Sequence, residues 1–201
     1  MQKAASLFDL QGYTGTSLAQ IVKETGGISA GALNFHFSSK AELARAVVEA
    51  GDATTRAALA ELDDIGGDTD SDRDRDPLDQ VIGLTLALVR LLEADDTVRA
   101  AIRLERELPG VEPWSRLWLP HVDALLRRAG ESGRLRPSAA PETVSGLVCR
   151  LVAGTETLLR HHRHTRPGTP TDSAELLAAI WQLVLTGIAP QAEPRPPQVD
   201  A

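Results

Sequence analysis

Two short amphipathic helices separated by a pair of glycines, within Thr16–Lys40, constrain this chain more than any other stretch. Thr16 or Ser17 can cap the first helix, and Leu18, Ile21 and Val22 fall on one face at helical spacing. Gly26 and Gly27 interrupt it, because glycine takes the left-handed conformation that ends a helix. Ser29 can cap a second helix that carries Ala32, Leu33 and Phe35 to Phe37. Two helices of this length across a tight turn have the shape of a helix-turn-helix, whose second helix enters the major groove of DNA.

The rest of the chain reads as helix after helix. Ala4 to Leu10 forms a first helix that ends at Gly12-Tyr13. Ser39-Lys40-Ala41-Glu42 has the pattern of a capping box, in which Ser39 and Glu42 satisfy each other's backbone donors. It opens a long helix to about Leu62, with Leu43, Ala46, Val47, Ala50, Ala57 and Ala58 as its buried stripe. Residues 63–76, DDIGGDTDSDRDRD, form an acidic linker. Asp68, Asp70 and Asp72 are spaced like the start of a calcium loop. Arg73 stands where that loop needs Gly and Asp79 where it needs Glu, so a solvated loop is expected instead.

Asp76-Pro77 is a cap followed by proline at the first helical position. The next helix, about 78–93, is apolar on nearly every side, and a helix of that kind sits in the middle of a bundle. Asp95 or Asp96 caps another, with Val98, Ala101, Ile102 and Leu108 inward, stopped by Pro109-Gly110. Pro113 begins a further helix through Trp114, Leu117, Trp118, Val122, Leu125 and Leu126 to about Ala129, and Pro120 inside it is expected to kink it. Two long apolar helices, Pro141–His162 and Ala174–Ile188, close the fold. Gly146 and Gly154 nearly share a face of the first of these and predict a close helix crossing. From Pro190 onward a disordered tail is expected.

Composition narrows the class. The 201 residues suit one large domain or two small ones, and 42% hydrophobic with 3% aromatic residues implies an aliphatic, helical core. No apolar run reaches about 18 residues, which argues against a membrane span. Met1-Gln2-Lys3-Ala4 runs straight into an amphipathic helix, so no signal peptide is expected. The single cysteine, Cys149, excludes an internal disulfide framework, fits a reducing cytoplasm and is expected to be a buried structural thiol. The net charge of −7 is not that of an obvious nucleic-acid binder, but seven Asp and two Arg in residues 63–76 hold −5 of it. Residues 1–50 balance four Lys or Arg against four Asp or Glu. Contact with DNA must therefore come from placed groups and helix N-termini rather than from a basic field.

FDLQGYTGTSLAQIV followed by GGISAGALNFHFSSKAELA resembles the DNA-binding domain of TetR-type repressors over roughly residues 4–50. In that family Gly-Tyr closes the first helix, Gly-Ala-Leu with an aromatic-His-Phe run forms the recognition helix, and Ser-Lys opens the fourth. Within the family, LNFHF and the later arrangement look most like butyrolactone receptors. Relatives usually have a longer first helix with a basic arm ahead of it, and this sequence starts inside that helix. The resemblance implies that Ser29, Ala30, Gly31, Asn34, His36 and Lys40 lie at the DNA. Gly31 lets the helix approach closely, Asn34 reads a base edge or holds a phosphate, and His36 and Lys40 suit phosphates. Thr16 and Ser17 present a helix N-terminus to the DNA backbone. Many relatives carry an aromatic residue in place of Asn34 and a Lys in place of Ala30.

The same resemblance places a tryptophan on the wall of a ligand pocket. Trp118 looks like the match, with Trp114 as the competing one. The pocket is expected among the helices near 78–93, 95–108, 113–129 and 141–162, with Thr85, Leu88, Ile102, Val148 and Val152 as further lining. Its expected occupant is a small, mostly apolar molecule with a few oxygens. Other candidates carry less. His161-His162-Arg163-His164 sits at a helix C-terminus, which favours cationic groups, and consecutive histidines diverge too far to share a metal. Glu105, Glu107 and Glu156 have no pairing by spacing, and no nucleophile elbow, Walker loop or zinc motif is present, so neither catalysis nor a cofactor is expected.

The expectation is an all-α protein of about nine helices. Residues 1–50 form the head, about 51–190 a ligand-binding and dimerising bundle, and 191–201 a tail. Two recognition helices on a palindromic operator require two-fold symmetry, so a homodimer is expected, held by the last two helices.

Overall fold

The computed structural model describes residues 1–27, 29–66, 75–165 and 172–189. The head begins with α1 (Gln2–Gly15), α2 (Leu18–Thr25) and α3 (Ala30–His36), and α4 (Lys40–Gly66) leads out of it. The body adds α5 (Pro77–Ala94), α6 (Asp96–Glu107), a 3₁₀ turn (Trp114–Leu117), α7 (Leu119–Glu131), α8 (Pro141–Thr165) and α9 (Ser173–Ile188). The fold is all-α, with nine α-helices among the described residues. Asp68, Asp70, Asp72 and the tail from residue 190 lie outside the described residues. No described helix is long and apolar enough to cross a membrane.

Side-chain caps set most helix starts. Ser17 Oγ accepts the Gln20 N–H, Ser29 Oγ accepts the Ala32 N–H, and Asp76 Oδ1 accepts the Leu78 N–H, at 2.9–3.1 Å. Asp95, rather than Asp96, caps α6 by accepting from Thr97 and Val98. At α4 the capping box is displaced by one residue. Ser39 Oγ accepts the Glu42 N–H, but the Glu42 carboxylate reaches back to Ser38, accepting its N–H and hydroxyl at 2.7 Å. Those two donors hold the Glu42 carboxyl below its ordinary pKa.

Two apolar clusters organise the interior. The head cluster joins Ala4, Ala5, Leu7 and Phe8 of α1 to Ile21, Leu33, Leu43, Val47 and Val48, and it also takes in Ala100, Ala101, Leu104 and Leu108. The body cluster surrounds α5 with Val98, Ile102, Trp114, Trp118, Val122, Leu126, Val148, Val152, Leu159 and Trp181. α5 contacts α4, α6, α7, α8 and α9, as an all-round apolar helix must. α6 belongs to both clusters, with Val98 and Ile102 in the body and Ala100, Ala101 and Leu104 in the head, where Leu108 just past its end joins them.

Several local expectations change. α1 runs past its bend at Gly12, where φ is 73°, to Gly15. The buried stripe of α4 is Leu43, Ala44, Val47, Val48, Gly51, Asp52, Thr55 and Leu59, while Ala57 is exposed. Among the described residues the close helix crossing within the protomer is at Gly51, and Gly146 and Gly154 face no neighbouring helix. A Cβ on Gly51 would lie 2.8 Å from both Ala101 Cβ and Thr97 O, so only glycine lets α4 and α6 approach this closely. A Cβ on Gly154 would meet nothing within 4 Å. Pro120 kinks no helix. The chain breaks after the 3₁₀ turn, and Pro120 occupies the first turn of α7, where a missing N–H removes no hydrogen bond. Cys149 is half-buried against the body cluster rather than fully enclosed.

Candidate functional site

α2 and α3 meet through Gly26, whose φ of 64° supplies the left-handed residue the turn needs. Leu33 is the buried residue of α3 and pins the helix to the head cluster. Ala30, Gly31, Ala32, Asn34, Phe35 and His36 are exposed, as are Ser17 and Ser29 at the two helix starts. The structure therefore puts Ser17, Ser29, Ala30, Gly31, Asn34 and His36 on the outside of the head. Of the large apolar residues that α3 carries, Phe35 stands out in being exposed.

Thr16 and Lys40 are engaged inside the head. Thr16 is 1% exposed, and its hydroxyl points at the carbonyls of Gly12 and Leu7, 2.8 and 3.2 Å away, so it has none to offer a phosphate. Lys40 Nζ donates to the carbonyls of Tyr13 (2.8 Å) and Thr16 (2.9 Å) and lies 4.2 Å from the Tyr13 ring centroid. The ammonium thus ties the start of α4 to the α1–α2 corner. Hydrogen bonds from a charged donor contribute about 1.5–3 kcal/mol. Lys40→Ala should lower head stability by an amount of that order, read as a drop in melting temperature. An unchanged melting temperature would show that the ammonium does not hold the corner.

The residues expected at the ligand converge. Leu88, Ile102, Trp114, Trp118, Val148 and Val152 share the body cluster, and Thr85 is buried against it. Thr85 Oγ1 accepts the Trp181 indole N–H at 2.9 Å and donates to Ile82 O at 2.8 Å. Trp181, which belongs to the apolar helix α9, thus also supplies a polar contact. The two competing tryptophans pack edge to face, 5.8 Å apart. Trp114 donates its indole N–H to Thr55 Oγ1 at 2.9 Å. Trp118, 2% exposed, has an indole nitrogen buried without a hydrogen-bond partner among the described residues. A buried donor without an acceptor is costly and calls for an explanation. An open cleft of about 540 Å³ lies between α4, α5 and α7. Leu59, Leu84 and Leu125 on its wall also pack into the cluster that holds Trp118, while Asp79, Gln80, His121 and Arg128 add polar lining.

A polar seam joins α1 to α6 and α8. Arg99, 4% exposed, donates Nε to Asp9 at 2.8 Å and Nη1 to Leu92 O at 2.7 Å, and it also pairs with Asp96. Arg103 donates to Asp9 O at 2.7 Å, and Glu107 accepts the Tyr13 N–H at 2.8 Å. Burial pushes the Asp9 carboxyl above its ordinary pKa despite the opposing pull of Arg99 and Arg163. The glutamates without an assigned partner all serve the scaffold. Glu105 accepts the Trp114 backbone N–H, Glu107 holds Tyr13, and Glu156 pairs with Arg106 and Arg160. Burial raises the Glu105 pKa, partly offset by the hydrogen bond from Trp114. His164, at the end of α8, places Nε2 3.2 Å from Leu10 O. Among the described residues no group of three His, Cys, Asp or Glu is placed to hold a metal.

Along α8, Leu147, Leu151, Gly154 and Leu158 follow one another at three- and four-residue steps. Leu176, Ile180, Leu183 and Gly187 do so along α9. Leu158, Leu176 and Leu183 are 54%, 57% and 74% exposed, and a Cβ on Gly154 or Gly187 would meet nothing within 4 Å. Leu158, Leu176, Leu183 and the two glycines are therefore uncovered in the protomer, while Leu147, Leu151 and Ile180 are half-buried.

Residues 1–47 match the family described as bacterial regulatory proteins, tetR family. The chain is 24% identical over 189 residues to the A-factor receptor protein of Streptomyces griseus, an alignment that covers 92% of this chain and 61% of that one. This chain thus spans less than two thirds of that relative. Among solved structures, a gamma-butyrolactone receptor (ArpA-like protein) superposes with a TM-score of 0.69 at 25% identity, covering 94% of this chain and 84% of that one. CprB from Streptomyces coelicolor, in complex with its biological operator sequence, gives 0.67 at 27% identity, covering 94% and 86%.

Proposed function

We propose that this TetR-type chain, related to the butyrolactone receptors over most of its length, is a ligand-responsive transcriptional repressor. It binds a palindromic double-stranded operator as a homodimer in the cytoplasm. It leaves the operator when a small, mostly apolar molecule enters the body, and it performs no enzymatic step. The ligand class is a butyrolactone, a related furan or butenolide, or an antibiotic-pathway product.

The observation that carries this reading is the double membership of α6. Val98 and Ile102 pack with Trp118, while Ala100, Ala101 and Leu104 pack with the head. A rearrangement of the ligand core moves a helix that is also part of the head. Release requires that ligand bind the DNA-incompetent arrangement better, and couplings of about 1–3 kcal/mol are typical. Within the core, the unpartnered indole N–H of Trp118 suits an oxygen acceptor on the ligand. The α4–α5–α7 cleft opens over the same apolar cluster through Leu59, Leu84 and Leu125, while Trp118 and the other expected ligand residues lie behind its wall rather than on it.

The test is a gel shift at low salt against DNA upstream of the chain's own gene, with and without a 2-acyl butyrolactone. Wild type should bind and be released. Trp118→Ala should still bind but respond to ligand at least tenfold more weakly, because the residue lies outside the head cluster. A normal response by Trp118→Ala would remove Trp118 from the pocket, and loss of response in Trp114→Ala alone would move the pocket to Trp114. A second reading, a ligand-binding dimer with little DNA affinity, draws on the head's zero net charge and on the engaged ammonium of Lys40. Absence of any shift at low salt would favour it.

A further inference from the structure

We propose that Phe35 reads the 5-methyl group of a thymine in the major groove, beside the base that Asn34 contacts. This rests on the DNA-binding reading above. Phe35 is 86% exposed, more than any of the other exposed large apolar side chains among the described residues. It follows Leu33 by two positions, which on an α-helix is a rotation of roughly 200°. Leu33 points into the head, so Phe35 points almost directly away from it. Gly31 lies one turn earlier on the same face. A Cβ there would meet only Ser29 Oγ, at 3.8 Å, so no side chain screens the ring on that side. His36 packs edge to face against the ring, with centroids 5.4 Å apart and planes at 84°, and holds it in place.

The chemistry then selects the target. A phenyl ring has no hydrogen-bonding group for a phosphate or a base edge. The apolar feature that unmodified DNA presents in the major groove is the thymine methyl, and Phe is among the side chains that pack against it. The head cluster closes around Leu33 and Phe37 without Phe35, so the fold does not need the ring. Asn34, next to it and also exposed, has the amide geometry for adenine. The two together favour an A·T-containing half-site, and a neutral head gains specificity in this way without adding positive charge.

The experiment selects duplexes from a random library with the full chain at low salt. It then replaces each half-site thymine by deoxyuridine, which lacks only the methyl. At one thymine per half-site, wild type should lose about fourfold in affinity, the worth of one buried methyl-sized group. Phe35→Ala should bind the thymine and uracil duplexes equally at that position and keep the wild-type melting temperature. Equal losses by wild type and Phe35→Ala at every thymine, or no loss by wild type anywhere, overturn the assignment while leaving DNA binding intact. Unchanged affinity of Phe35→Ala for the selected duplex assigns the ring to another partner and also overturns it. A selection that returns no duplex overturns both this inference and the DNA-binding reading.

Discussion

Replacing Arg99 by methionine should destabilise the protein by about 3–5 kcal/mol, measured by guanidinium unfolding, the range seen when one partner of a buried ion pair is removed. The guanidinium is almost wholly enclosed and bridges Asp9 of α1, Asp96, and the carbonyls of Leu92 and Glu93 at the end of α5. Without it, among the described residues, Asp9 keeps only Arg163 as an ion-pair partner, at 3.7 Å. The loss comes from the carboxylate left behind more than from the bond removed, so combining Arg99→Met with Asp9→Leu should recover much of it. A double variant no better than the single one would locate the cost in the carbonyl contacts instead.

The pH dependence has a definite sign. The folded pKa of Asp9 is raised, so between its unfolded and folded values the native state holds the extra proton. Asp9 therefore contributes most below its unfolded pKa, and that contribution is lost as pH rises through the folded one. Removing Arg99 raises the folded value further. The deficit of Arg99→Met should be largest at neutral pH and shrink as the medium is acidified.

Leu158→Glu and Leu183→Glu should each give a folded monomer, seen by sedimentation with unchanged helical circular dichroism. Both side chains are more than half exposed in the protomer, so a carboxylate is solvated there, whereas in a dimer it would be buried without a partner. Because a two-half-site operator rewards linked binding, loss of the dimer should weaken operator affinity by about 10²–10⁴. Val184→Glu is a poorer test, since Val184 also packs against the body cluster and the variant would unfold the protomer. Intact dimers for both exposed-site variants would place the interface off α8 and α9.

Local rules carried most of the architecture. Ser17, Ser29, Ser39, Asp76 and Asp95 cap their helices by contacts within three residues, so their identity and position suffice. The all-round apolar α5 had to be central, because no solvent-facing side was available. The motif from Thr16 to Lys40 determined that α3 would follow a tight turn. Long-range partnership decided the rest. Thr16 and Lys40 carry groups that suit a phosphate, yet the carbonyls of Leu7, Gly12 and Tyr13 claim them once α1 folds back against α2 and α4. Trp114 and Trp118 are one turn apart and equivalent on paper. The hydroxyl of Thr55, 59 positions away, satisfies one and leaves the other without a partner. Arg99 looks like a surface charge on a polar helix until α1 covers it and supplies Asp9 from 90 positions away. Hydrogen bonds and ion pairs act over a few ångströms whatever the chain separation. The sequence by itself therefore determined most of the helices and the central place of α5, while only the tertiary structure decided the buried face of α4 and which polar groups remain available for DNA and ligand.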